Sequence, residues 1–274
     1  MYSADGHSTF SSNQVATLRI LFASLALLPF GIRAFKALDF RKDILSFSIV
    51  AICGNLAPAF LFTYAETGIS SGLAGMLNSI TPIFTILIAI FIFKDKMNYR
   101  QFVGTAIGFI GVGLLLYFGK QNSIEGEWSH IISVLGATLC YAISLSVIRY
   151  KLSHYKSLDI AAIAFLLLLL PSLVLFFTED TLNTFQNNIQ IWNSLLAILI
   201  LSIVGTALAL FIFNTIIKNT SALFASSVTY FIPIVAVVFG FFFNEVITAL
   251  QITGMLIALL GVFIANSNRR QKSS

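Results

Sequence analysis

Apolar residues in this chain do not alternate with polar ones. They run together in long blocks separated by short polar breaks. Nine such stretches are read, at roughly 15–34, 44–64, 68–93, 100–118, 130–148, 159–178, 193–214, 221–243 and 248–266. Each is close to the roughly 20 residues that a helix needs to cross a hydrocarbon core about 30 Å thick. In lipid every backbone N–H and C=O needs an internal partner, and a single segment supplies that only as a helix. The short alternating runs of a membrane barrel are not found. The expected fold is all-α, a polytopic bundle of nine transmembrane spans whose short loops carry no soluble domain.

Composition supports this reading. The 274 residues are 58% hydrophobic and 10% charged, against about 25% charged in ordinary soluble domains. The mean hydropathy is +0.92. A net charge of +5 would suit nucleic acid, but the basic residues lie in short loops, where they orient a membrane protein. No nucleic-acid partner is expected. Cys53 and Cys140 both fall inside apolar runs and read as small hydrophobes rather than as a disulfide or metal site. Residues 1–14 are polar and do not read as a cleavable signal peptide.

Charge also gives an orientation. Loops taken alternately, starting after the first span, hold Arg33, Lys36, Arg41, Lys42, Lys94, Lys96, Arg100, Arg149, Lys151, Lys156, Lys218, Arg269, Arg270 and Lys272. The other loops hold only Lys120. The basic side is cytoplasmic, which puts the C-terminus inside and the N-terminus of this chain outside, in a plasma (inner) membrane.

Self-comparison reveals a repeat. Shifted by 151 residues, Gly54 falls on Gly205, Phe62 on Phe213, Ser70 on Ser221, Ala74 on Ala225 and Pro82 on Pro233. With one residue removed the register continues at 150. Asp95 then meets Glu245, Gln101 meets Gln251, Gly104 meets Gly254, Gly111 meets Gly261 and Val112 meets Val262. The loop before the first copy is outside and the loop before the second is inside, so the copies are expected to be inverted. Many secondary transporters are built this way, with substrate bound near the midplane between repeats. The repeats are placed at 13–119, with four helices, and 129–267, with five. The counterpart of the helix at 130–148 would precede Met1.

This pattern resembles the drug/metabolite transporter superfamily, of the type carrying paired EamA-type domains. The carriers are Leu18-Arg19-Ile20, the run from Ser70-Ser71-Gly72 through Asn78-Ser79-Ile80-Thr81-Pro82, and its second copy from Thr220-Ser221-Ala222 through Tyr230-Phe231-Ile232-Pro233. Asn244-Glu245, Gly254 and Gly261-Val262 complete the pattern. The resemblance covers about residues 13–266. It implies ten helices, both termini cytoplasmic, and export or exchange of metabolites. Two departures are read: the first of the ten helices has no counterpart here, so that either the natural chain starts further upstream or this is a nine-helix variant, and the first copy's exit reads Lys94-Asp95-Lys96 where the family usually has Gly-Glu.

Several residues are candidates for function. Arg19 is the charged residue set well inside an apolar run, and such charges face a cavity or a partner. Its guanidinium suits a carboxylate-bearing substrate, against the alternatives of bracing the bundle or snorkelling to the interface. Asn55, Asn78, Tyr141, Asn214 and Tyr230 offer uncharged donors and acceptors within spans and form the expected substrate-binding lining, although each alone reads equally as a helix-to-helix hydrogen bond. Pro82 and Pro233 are expected to break paired helices and serve gating. Gly104, Gly108 and Gly111 share a helix face and allow close packing. No carboxylate falls in mid-membrane, which leaves the coupling ion open. His7, His130 and His154 are read as terminal or in loops, and no nucleophile elbow or phosphate loop occurs. Enzyme activity, a metal and a cofactor are not expected. Asn219-Thr220-Ser221 matches a glycosylation triplet but lies on the cytoplasmic side.

The expected function is a carrier, in the export direction, for small metabolites such as amino acids or related compounds. It works by alternating access between two inverted repeats. Its expected partners are a small-molecule solute and the lipid bilayer, with a homodimer left open. The alternative is a non-transporting membrane protein that acts in assembly or sensing.

Overall fold

The computed structural model describes residues 10–36, 39–96, 98–119, 128–179, 181–187, 191–209, 212, 231–242 and 247–266. Among them every regular element is helical. In chain order these are α1 (Ser12–Phe35), α2 (Phe40–Ala51), a first π-turn (Ile52–Leu56), α3 (Ala57–Ala65), α4 (Ser71–Leu77), a 3-10 turn (Asn78–Ile80) and α5 (Thr81–Phe91). Then come α6 (Tyr99–Gly119), α7 (Trp128–Lys151), α8 (Ser157–Thr178), α9 (Thr181–Asn187), α10 (Ile191–Ser202) and a second π-turn (Ile203–Leu208). The helices α11 (Phe231–Phe242) and α12 (Ala249–Asn266) complete the described chain.

Among the described residues six helical segments are long and apolar enough to cross a membrane: Ser12–Phe35, Arg41–Ala65, Ser71–Phe91, Trp128–Lys151, Ser157–Thr178 and Ile191–Leu208. Three shorter apolar helices accompany them, Tyr99–Leu115, Ile232–Phe242 and Ala249–Ala265. Among the described residues the one helix outside the predicted apolar stretches is the short α9, which packs on α8. Large apolar side chains point outward along the spans, with Phe241 78% and Leu170 70% exposed. Soluble monomers rarely show apolar patches beyond a few hundred Å², so this surface is built for lipid. Trp128 and Trp192 stand exposed at the first turns of α7 and α10, the position of an interfacial aromatic anchor.

Local sequence explains where several helices start. Ser11 caps α1 by accepting from the Gln14 backbone N–H at 3.2 Å, while Gln14 Oε1 accepts from the Ser11 N–H at 3.0 Å. The same reciprocal box opens α6 and α12. The Asn98 N–H donates to Gln101 Oε1 at 3.0 Å, and the Gln101 N–H to Asn98 Oδ1 at 2.8 Å. The Thr248 N–H donates to Gln251 Oε1 at 2.8 Å, and the Gln251 N–H to Thr248 Oγ1 at 3.3 Å. Gln101 and Gln251, matched in the sequence repeat, therefore do the same structural job.

The described chain forms two compact units. The first holds residues 1–64 and 147–219, and the second residues 65–146 and 220–274. In the first unit α1 packs along α8 and α10, and α2 along α8. Gly31 brings α1 and α8 to near backbone contact, since a Cβ there would lie 2.9 Å from the Ala162 carbonyl oxygen. Leu18 and Ile198 are fully buried in this unit, with Phe10 and Ile191 packed beside them.

In the second unit α6 packs along α12, and α4 along α11. The α6–α12 contact is made by glycines. A Cβ on Gly104 would lie 2.5 Å from the Gly261 carbonyl oxygen, and one on Gly111 would lie 2.7 Å from that of Gly254. Gly108 faces the side chain of Ile83. The order reverses between the helices, so they cross antiparallel. Each glycine also meets the repeat counterpart of the other, since Gly104 matches Gly254 and Gly111 matches Gly261.

Candidate functional site

Arg19 lies on α1, in the second turn after its capped start, and is half-buried. Its Nε donates to the Thr206 hydroxyl at 3.4 Å. No carboxylate pairs with it among the described residues. Among the described residues it is held by one neutral hydroxyl, and a guanidinium carries five N–H donors.

Thr206 belongs to the second π-turn and Asn55 to the first. A π-turn carries one residue more than an α-turn, which shifts the hydrogen-bond ladder locally. In both turns a side chain reaches back to a carbonyl five residues earlier. Asn55 Nδ2 donates to the Val50 carbonyl at 3.3 Å, and Thr206 Oγ1 to that of Leu201 at 3.4 Å. The offset of 151 that matches Gly54 to Gly205 also carries Asn55 to Thr206 and Val50 to Leu201. The helix α1 packs against both π-turns. Thr206 was missed in the sequence because a lone threonine in an apolar run gives no signal. Its match to Asn55 in the repeat register was the available clue.

The second unit holds the other described candidates. Asn78 opens the 3-10 turn, half-buried, and its Oδ1 accepts from the Thr81 hydroxyl at 3.2 Å. The cause of the turn is Pro82. Proline has no N–H to offer the carbonyl four residues back, and its ring crowds that carbonyl. That carbonyl is Asn78 O, and the Thr81 N–H takes it instead. Tyr141 lies half-buried on α7. Pro233 is buried in the first turn of α11. Asn214 and Tyr230 lie outside the described residues.

A polar cluster that was not foreseen joins the start of α2 to the α7–α8 loop, both in the first unit. Asp43 is only 5% exposed. The Tyr155 hydroxyl donates to Asp43 Oδ2 at 2.9 Å, and His154 Nε2 lies 3.5 Å from the same oxygen. The Asp39 N–H donates to the Tyr155 hydroxyl at 3.2 Å. The Tyr155 ring packs edge-on against Phe47, with centroids 5.1 Å apart. Burial, aided by the neighbouring carboxylates, pushes the Tyr155 phenol above its ordinary pKa. The sequence placed Asp43 simply at a span end, because its partners sit more than a hundred residues downstream.

Outward apolar belts, kinked and π-turned spans and an inner arginine with no acidic partner among the described residues define the class, a multi-pass helical membrane transporter. The chain belongs to the EamA-like transporter family, whose model matches residues 2–117 and again 128–267. It is 24% identical to a probable terminal-alkyne amino-acid exporter of Streptantibioticus cattleyicolor over 271 residues, covering 93% of this chain and 85% of that one. It is 26% identical to the uncharacterized transporter YoaV of Bacillus subtilis, covering 84% of this chain and 78% of that one. A solved structure titled only as the crystal structure of a protein shares the fold, with a TM-score of 0.58 at 14% identity, covering 95% of this chain and 89% of that one.

Proposed function

We propose that this transporter exports small metabolites of the amino-acid kind from the cytoplasm, by alternating access between two inverted repeats at 13–119 and 129–267. Nine spans cross the plasma membrane, with the C-terminus inside. The observation that carries the reading is the reciprocal glycine contact, in which Gly104 meets Gly261 and Gly111 meets Gly254 across an antiparallel helix pair. A protein made of two inverted copies has this contact at its pseudo-two-fold axis. The repeat-matched π-turns and capping boxes support the same symmetry.

Arg19, Asn55, Asn78, Tyr141, Asn214 and Tyr230 supply the polar groups that solute meets, and Pro82 and Pro233 set the breaks about which spans bend. The export direction draws on the name of the Streptantibioticus relative. The test is flux. Purified protein in lipid vesicles preloaded with a labelled metabolite panel should release at least one solute faster than protein-free vesicles do. Release should fall in Asn78→Ala and rise with an imposed gradient of the same solute. Vesicles that release every compound at the protein-free rate would overturn the proposal.

A further inference from the structure

We infer that Arg19, seated against Thr206 of the second π-turn, binds the carboxylate of the transported solute. The inference rests on the transport reading and adds to it which group of the solute is recognised and by which residue.

Three observations lead there. The first is the charge itself. A guanidinium within an apolar run has a standing cost that a partner must offset. Among the described residues its partner is one hydroxyl at 3.4 Å, engaged through Nε, and no acid pairs with it. A planar guanidinium presents its remaining donors as a fork that matches a carboxylate with two parallel bonds. The second is the place. Thr206 sits where the backbone ladder is already disrupted, and its own hydroxyl lies 3.4 Å from the Leu201 carbonyl. That hydroxyl is both a donor and an acceptor, so it holds Arg19 in the unloaded state and can turn to donate to an arriving oxyanion.

The third is asymmetry. The matching π-turn carries Asn55, which offers a neutral amide in the place of Thr206. One half of a symmetric frame thus presents a fixed positive charge beside its π-turn polar group. The pattern suits a solute with one anionic end rather than a dianion or a cation. Bracing between helices is the rival role for Arg19. A brace would use its charge on a protein carboxylate, and none is in place among the described residues.

The test reads Arg19 directly. Purified protein is treated with phenylglyoxal, which modifies accessible arginine, and labelling of Arg19 is followed by peptide mass spectrometry. The probes are neutral α-amino acids and the 2-oxo acids of the same skeletons, set against the corresponding carboxamides and amines. The expected result is that at least one acid slows Arg19 labelling several-fold, while its carboxamide and amine leave the rate unchanged. Arg19→Gln should weaken vesicle uptake of that acid on the order of ten- to a hundred-fold, the worth of a charge-assisted bond. Arg19→Lys should recover part of it, and Thr206→Val should weaken it less.

Labelling that no acid slows, or that acid and carboxamide slow equally, overturns the inference. Flux separates it from the broader reading. Transport that ignores the carboxylate and survives Arg19→Gln overturns the inference and leaves transport standing. Acid-specific protection of Arg19 without flux of any solute supports the carboxylate site and removes the transporter reading.

Discussion

Asn55 and Thr206 stand 151 residues apart and do the same thing: each lies in a π-turn and each donates to the carbonyl five residues before it. Neutral hydrogen bonds are worth about 0.5–1.5 kcal/mol net. Asn55→Ala and Thr206→Val should each lower stability by about that much in detergent. Amide exchange should speed up over 50–57 in the first variant and over 201–208 in the second. Exchange that stays at wild-type protection in both turns would mean that these side chains do not hold the π-turns.

Glycine substitutions separate contact from helix propensity. Gly111→Ala places a methyl against the Ala258 backbone and 2.7 Å from the Gly254 carbonyl oxygen. Overpacking of this kind costs about 1–3 kcal/mol. Gly113→Ala, on the same helix, meets nothing within 4 Å. There the change should be neutral or stabilise by about 0.5–1 kcal/mol, as expected for replacing glycine in a helix. Thermal unfolding of the two variants side by side checks the pair, and equal losses would contradict the α6–α12 contact.

Pro82→Ala restores an N–H four residues after Asn78. The variant should convert the 3-10 turn to α-helix and gain about 1 kcal/mol of stability. If the break serves gating, transport should slow while the melting temperature rises. A faster or unchanged rate in a stabilised variant would assign Pro82 to packing alone.

The Asp43–Tyr155 bond gives a pH signature. Burial raises the folded phenol pKa above its unfolded value of 10.0. The neutral phenol is the form that the fold favours. Its contribution is therefore fully present below pH 10 and is lost as pH rises through the folded pKa. Tyr155→Phe leaves the buried Asp43 carboxylate without its hydroxyl donor and should cost about 1–3 kcal/mol at neutral pH. The melting-temperature gap between wild type and Tyr155→Phe should narrow above pH 10. A gap that is constant across that range would show that the phenol does not titrate in the fold.

The helices were legible because lipid demands long apolar runs, and the hydropathy of the chain records that demand directly. The glycine face of α6 was legible because spacings of four and three select one side of a helix. Pro82 announced a break but not its form, since the choice of the Thr81 N–H for Asn78 O depends on backbone geometry. The π-turns left no trace in residue type; they appear only as an extra residue in a ladder. The Asp43 cluster was illegible for a different reason. Its members come from α2 and the α7–α8 loop, and only the packing of α2 along α8 brings them together. Arg19 stood out as a charge in an apolar run, whereas Thr206 acquires meaning only from what lies beside it.

The inverted repeat is the centre of this account, and membrane topology at repeat-matched points tests it most directly. Thr67 and Lys218 are related by the offset of 151, and Lys96 and Val246 by that of 150. With Cys53 and Cys140 replaced by serine, single cysteines are placed at these four positions and labelled in intact cells with an impermeant maleimide. Thr67→Cys and Val246→Cys should label at once, while Lys218→Cys and Lys96→Cys should label only after permeabilisation. Two members of a pair that label from the same side would contradict the inversion and the alternating-access mechanism built on it.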